Sequence, residues 1–411
     1  MTGLRRQLSL LGTARGFRLL FLATLGSSLG TLLATVALVV DVKDRTDSGP
    51  WVSALMIVEF LPAVAVGLLL GPLLDRYSRR GLMIGSDLVR CATFCALPFA
   101  DSAGEIVVLA GVAGFATGFF RPAVYAGLPN LVDERDLARA NSLLQTGENV
   151  SWTVAPVIGG VLVAASSPDV AYWINAASFL ISALLLLGIR AQKLQGVVAV
   201  SHGHLRDLGE GFAHVVRSRP LVTVLVVWSI ALGAVASSQT AQVFLAKDAF
   251  DAGDVGYGLI FGAIGLGLAI GSFGAGSWVE QRSVGTVYAA SILLQAIGVG
   301  AAAIAPNVWV SLPAFVLAGV GNGTAVVCNS LLVQRGAPDE LRGRVFTVIM
   351  SVNYAVYGLG FLIAGPLTDS VGPRWVFGGV AIVLALASLI AYALGRAVTR
   401  RADQRAEAEV A

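Results

Sequence analysis

Apolar residues fill the chain in long runs, and the polar positions that break those runs recur at a spacing set by bilayer thickness. A predominantly apolar run of roughly twenty residues is long enough to cross the hydrocarbon as a helix. Breaks marked by charge or by Pro, Gly and Asn divide the 411 residues into twelve such spans. They cover about 19–40, 51–74, 81–100, 104–128, 143–166, 170–189, 221–246, 255–279, 285–304, 308–334, 345–368 and 375–395. The uncharged stretch 283–334 is too long for one helix and divides at the turn tripeptide Ala305-Pro306-Asn307. The pattern predicts an all-α membrane protein of twelve transmembrane helices.

Composition points the same way. Hydrophobic residues make up 56% of the chain and charged ones 13%, about half the charge of a typical soluble domain. The 48 glycines suit close helix packing in lipid. A net charge of +3 is too small to suggest nucleic-acid binding, so where the charges fall says more than their sum. With both termini cytoplasmic, the inner segments hold 22 of the 28 Lys and Arg residues. The outer loops hold Lys43, Arg45, Lys247 and Arg374, and Arg90 and Arg121 fall inside spans. That imbalance is the positive-inside pattern and requires an even number of crossings. A multi-pass protein of the plasma membrane is expected, with its first span retained rather than cleaved as a signal peptide.

The longest polar connection lies mid-chain and sets the expected domains: a bundle over 1–190, a cytoplasmic linker over 191–220, and a second bundle with a short tail over 221–411. Leu205, Leu208, Phe212, Val215 and Val216 fall near helical spacing, predicting an amphipathic linker helix on the inner surface. His202, His204 and His214 lie there too, and fit solvated linker positions better than a metal site. Cys91, Cys95 and Cys328 fit small packing positions better than a disulfide or a metal pair. No metal and no cofactor is expected. The halves resemble one another at an offset near 205: 132–140 pairs with 337–344, and 156–162 with 361–367. A duplicated six-helix unit follows, and the two bundles should be pseudo-symmetric.

An ionised side chain in hydrocarbon costs at least ~2.5 kcal/mol, so each one needs a reason. Glu59, Asp87, Arg90, Arg121 and Glu148 lie within predicted spans of the first half. Asp87 and Arg90 are three apart and can pair on one helix face. With Arg121 and Glu148 they form a candidate cluster of two acids and two bases, either an ion-pair network that sets helix register or a gate. Glu59 has no basic partner at its depth. It is a proton-coupling candidate, as are Glu148 and Asp87; the other reading of Glu59 is a neutral core carboxyl. Asp41 lies at the outer end of the first span, as an interfacial group or a guard of the outer vestibule. The mid-span glycines Gly265, Gly267 and Gly271 have the wrong spacing for a phosphate loop and read as helix packing. No G-x-x-x-x-G-K-[ST] or HExxH occurs, so neither ATP hydrolysis nor enzyme chemistry is expected.

The run GPLLDRYSRR at 71–80, with Gly71, Asp75, Arg76, Arg79 and Arg80, resembles the signature loop between helices 2 and 3 of the major facilitator superfamily; Ser78 replaces the family's second glycine. The resemblance implies that this loop latches the inner face shut. Its second-half counterpart keeps only Gly276, Glu280 and Arg282. The runs FFRPAVYAGLPNLVDERDLARANSLL, Asp87-Leu-Val-Arg90 and APDELRGRV are similar to the branch of drug:proton antiporters holding macrolide-efflux proteins and the enterobactin exporter. Pro156, Gly159 and Gly160 resemble that family's antiporter motif, with Ala155 in place of its first glycine. The implied fold is two six-helix bundles around a cavity that alternates between membrane faces. Spans 1, 4, 7 and 10 would supply its lining, with Ser27, Ser28, Arg121, Gln239, Asn322 and Asn329 as polar candidates. The implied function is proton-coupled export of a hydrophobic or amphipathic small molecule by a monomer in the lipid bilayer. A proton-coupled nutrient importer, or a membrane receptor or scaffold that does not transport, are the alternatives.

Overall fold

The computed structural model describes residues 10–69, 77–191, 194 and 204–410. Gly71, Asp75, Arg76 and His202 lie outside the described residues. Thirteen helices carry the argument. In the first half they are α1 (Arg15–Thr46), α2 (Gly49–Leu69), α3 (Arg79–Ala96), α4 (Ala103–Gly127), α5 (Leu137–Ala165) and α6 (Pro168–Leu187). Then come α7 (His204–Arg217), α8 (Arg219–Phe244), α9 (Gly253–Gln281), α10 (Val284–Ile304), α11 (Val308–Gly336), α12 (Asp339–Val371) and α13 (Pro373–Val410). All but α7 match the twelve expected spans in order, and among the described residues twelve helices are long and apolar enough to cross a membrane. No strand occurs among the described residues.

Helix ends fall where capping chemistry puts them. Hydroxyl or amide oxygens of Ser78, Ser102, Ser283 and Asn307 accept from the backbone N–H three residues on, opening α3, α4, α10 and α11. The predicted turn at 305–307 is therefore real: α10 stops at Ile304 and Asn307 starts α11. The helices overrun the apolar spans where polar groups find partners. Thus α1 continues to Thr46, because Arg45 pairs with Asp41 at 2.6 Å and reaches the Ala100 carbonyl at 2.9 Å. The Tyr172 hydroxyl donates to the other Asp41 oxygen at 2.9 Å. Asp41 thereby ties α1 to α6.

Contacts divide the chain into two units: residues 1–200 with Gly253–Gly262, and residues 201–252 with 263–411. Their internal packing is the same in outline. In the first, α1 packs on α5 and α6, α3 on α4 and α6, and α2 on α4. In the second, α8 packs on α12 and α13, α10 on α11 and α13, and α9 on α11. Each pairing in one unit is the other's, moved on by six spans, as a duplicated six-helix sequence requires.

Small residues permit these contacts. Gly267, Gly271, Gly319 and Gly323 bring α9 and α11 together so closely that a Cβ on any of them would strike the opposite backbone. That is the packing role read for the mid-span glycines. The linker helix α7 docks on the second unit through Val215, buried among Leu221, Val224, Val333, Val345 and Ile349. His214 Nε2 lies 3.2 Å from the Gly336 carbonyl. Phe212 and Val216 are exposed.

Candidate functional site

Four of the charged residues predicted within spans form two ion pairs in unlike surroundings. Asp87 and Arg90, one turn apart on α3, pair directly with side-chain exposures of 0% and 5%. The second Asp87 oxygen accepts from the Ser182 hydroxyl of α6 at 2.7 Å. The Arg90 guanidinium lies between two rings, 4.5 Å from the Phe120 centroid and 4.2 Å from that of Phe179. Both charges are thus held by a counter-ion and by polarisable faces, the arrangement that makes a buried pair tolerable.

Arg121 of α4 meets Glu148 of α5 at 3.0 Å, with side-chain exposures of 62% and 16%. One guanidinium nitrogen spans both carboxylate oxygens, and Tyr125 donates to Glu148 at 3.4 Å. This pair opens on a cavity of about 170 Å³ within the first unit. Ser27 and Ser28 of α1 line it with Thr24 and Thr31, a stripe at positions i, i+3, i+4 and i+7 of one helix face. Phe120, Trp152 and the edge of Arg90 complete the wall. The expected four-charge cluster is therefore two pairs, and Arg90, Arg121 and Glu148 share one cavity while Asp87 stands behind it.

Glu59 is half-buried on α2. Among the described residues it forms no ion pair and no hydrogen bond. Its backbone lies against Gly114 of α4. Of the loop residues, Arg79 donates to the carbonyls of Ala126 and Leu194 at 2.8 and 3.1 Å, and Arg80 to those of Leu186 and Leu187 at 3.2 and 2.7 Å. The two arginines thus cap the carboxyl ends of α4 and α6, where the helix dipole favours a cation. Both contacts stay inside the first unit.

On α5, Pro156, Gly159 and Gly160 are buried. Gly159 backs onto Leu33 of α1, and Gly160 meets Gly258 of the Gly253–Gly262 segment, backbone against backbone. Trp152 stacks on Phe261 of the same segment, centroids 5.5 Å apart. In the second unit, Gln239 accepts from the Tyr357 hydroxyl at 2.7 Å. Asn329 is buried with its carbonyl oxygen unpartnered, and Asn322 is half-buried on the same helix. Neither asparagine nor Gln239 lines the first unit's cavity.

Sequence reasoning missed Tyr125, Trp152, Ser182 and Tyr172. Two of them carried a signal: Tyr125 follows Arg121 by four, and Trp152 follows Glu148 by four, so each lies beside its charge on a helix face. Ser182 and Tyr172 come from a helix distant in sequence and carried none.

Twelve membrane-length helices in two units with matching internal packing, and an ion pair at the wall of an embedded cavity, define a membrane transporter. The profile of the Major Facilitator Superfamily matches residues 20–356 and 227–410, and the chain belongs to that superfamily. It is 28% identical over 406 residues to the multidrug efflux pump Tap of Mycolicibacterium fortuitum, covering 93% of this chain and 97% of that one. It is 20% identical over 354 residues to macrolide efflux protein A of Streptococcus pyogenes, covering 84% and 87%. Among solved structures it superposes on the nucleoside transporter NupG with a TM-score of 0.76 at 16% identity, over 92% of this chain and all of that one. A peptide transporter, POT, gives 0.77 at 11% identity, over 94% and 95%. At such identities the structural likeness speaks to the fold alone.

Proposed function

We propose that the protein exports a hydrophobic or amphipathic small molecule across the plasma membrane in exchange for protons, by alternating access, with both termini in the cytoplasm. The observation that carries this reading is the Arg121–Glu148 pair at the wall of an aromatic- and hydroxyl-lined cavity. Deprotonated, Glu148 holds Arg121; protonated, it releases the guanidinium. A proton and a substrate can therefore compete for one site, which is the requirement of exchange. Phe120, Trp152 and the Thr24–Ser28 stripe offer ring faces and hydroxyls to an amphipathic solute. Export, rather than import, rests on the likeness to the two efflux proteins.

Glu59, a carboxylate without a cationic partner among the described residues, is the second acid assigned to proton handling. Asp87 serves instead to neutralise Arg90. Arg79 and Arg80 hold the ends of α4 and α6, and Gly71, Asp75 and Arg76 are assigned the latch role by sequence. Gln239, Asn322 and Asn329 are the second unit's polar candidates for substrate contact. One proton moving down a potential of about 100 mV releases ~2.3 kcal/mol, enough to sustain roughly a fifty-fold gradient of a neutral solute.

The test is accumulation of a fluorescent amphipathic substrate in everted vesicles driven by a pH gradient. Glu148→Gln and Glu59→Gln should each abolish gradient-driven accumulation with expression intact. Full activity in either variant removes that acid from the proton path, and a wild-type protein that accumulates nothing in any direction would leave the receptor or scaffold reading standing.

A further inference from the structure

A cleft of about 360 Å³ lies in the second unit, and of its lining only Arg282, an element of the signature loop's second-half counterpart, was named above. Only Arg282 and Ser283 separate α9 from α10, and residues of both helices line the cleft. Trp278 and Gln281 of α9 form one wall, with Val287, Ala290 and Leu294 of α10 forming the other. Thr324 of α11 lies at the floor. Two of the hydroxyls that reach the cleft are already committed: Thr324 donates to the carbonyl of Val320 or Gly271, at 2.9 and 3.2 Å, and Ser291 to that of Tyr288 at 2.7 Å; the third, Thr286, shares a hydrogen bond with Ser283 at 2.8 Å. Thr324 and Ser291 thus offer no free donor to a polar guest.

The mouth is different. Gln281 and Arg282 are both exposed there, and Arg282 forms no ion pair among the described residues. Leu293 and Ile297, continuing the α10 face beyond Ala290, are exposed apolar side chains. An apolar trough with a guanidinium at one end matches an amphiphile whose head is an anion.

We propose that this cleft is a binding site for one anionic phospholipid, its phosphate on Arg282 and one acyl chain lying along Val287, Ala290 and Leu294. The surroundings decide the occupant. In a membrane-spanning unit the molecules present at such a cleft in bulk are lipids, and a cleft left empty forfeits dispersion contacts along its whole length. Zwitterionic lipids offer the same chain with a neutral head, so charge at Arg282 selects the anionic species.

The experiment is native mass spectrometry of the purified full chain titrated with phosphatidylglycerol, phosphatidylcholine or inorganic phosphate. Wild-type protein should retain phosphatidylglycerol in preference to phosphatidylcholine. Arg282→Gln should weaken phosphatidylglycerol about fivefold, the ~1 kcal/mol expected of one basic side chain at an anionic head group, and erase the preference. Ala290→Trp, at an exposed position, should fill the trough and lower retention of both lipids. Unchanged phosphatidylglycerol binding in both variants would overturn the site. So would inorganic phosphate competing as well as the lipid does, since that would make Arg282 an ion site with no use for the trough.

Discussion

Two of the first unit's ion pairs, Asp87–Arg90 and Arg121–Glu148, meet at one cavity in opposite surroundings. Asp87 and Arg90 are closed in by Ser182, Phe120 and Phe179, with almost no exposure. Arg121 and Glu148 stand at a cavity wall, with the guanidinium largely exposed. A sealed pair has no alternative partner, so breaking it strands a charge in a medium that cannot solvate it. An open pair exchanges its partner for water, a proton or a ligand at little cost. The same residue types can fix a fold in one place and switch in the other, and the difference lies in what surrounds them.

Substitutions can break that contrast, and the largest effect is expected at the sealed pair. Asp87→Asn leaves Arg90 buried without its counter-charge and should cost ~3–5 kcal/mol, read as a fall in melting temperature of the purified protein. Replacing both partners, Asp87→Leu with Arg90→Met, should return stability to within about 1 kcal/mol of the parent, or better. A double variant as unstable as the single one would show that the pair contributes more than mutual neutralisation. Next comes Ser182→Ala, which removes the hydrogen bond to the second Asp87 oxygen and should cost ~1.5–3 kcal/mol in the same melt.

The open pair should answer differently. Arg121→Gln is expected to change stability by less than ~1 kcal/mol while gradient-driven efflux is lost, so melting and transport assays part company. If Arg121→Gln melts as early as Asp87→Asn, the two pairs are equivalent and the contrast fails. The smallest effect is expected for Tyr125→Phe, which removes a long bond to Glu148. It should shift stability by no more than ~0.5 kcal/mol and leave transport reduced rather than abolished.

Among the described residues, the second unit repeats the helix packing of the first without its buried charges. Where the first unit places Asp87, Arg90, Arg121 and Glu148, the second has neutral groups such as Gln239 on Tyr357 and Ser229 on Asn353, 2.7 and 2.8 Å apart. Its cohesion at α9 and α11 comes from glycines in backbone contact. Duplication thus preserved a packing scheme and let the polar contents diverge.

Much of this was legible in the residues. Hydrocarbon thickness fixes span length, unsatisfied backbone groups leave only helices or a closed barrel to cross it, and apolar runs of about twenty residues select helices. The twelve spans, the turn at 305–307 and the packing role of Gly267 and Gly271 therefore followed from order and composition. Spacing along a single helix showed the Asp87–Arg90 pair, and the family resemblance pointed to Ser27 and Ser28 at the cavity. Pairings between helices were less accessible, because a chain position carries no record of which distant helix face it will meet. Only the tertiary arrangement divided four charges into a sealed pair and an open one, brought Ser182 to Asp87 and Tyr172 to Asp41, and set Arg79 and Arg80 on the ends of α4 and α6. Local sequence governs what one helix can be; solvent access at each charge depends on neighbours tens of residues away, and folding alone assembles them.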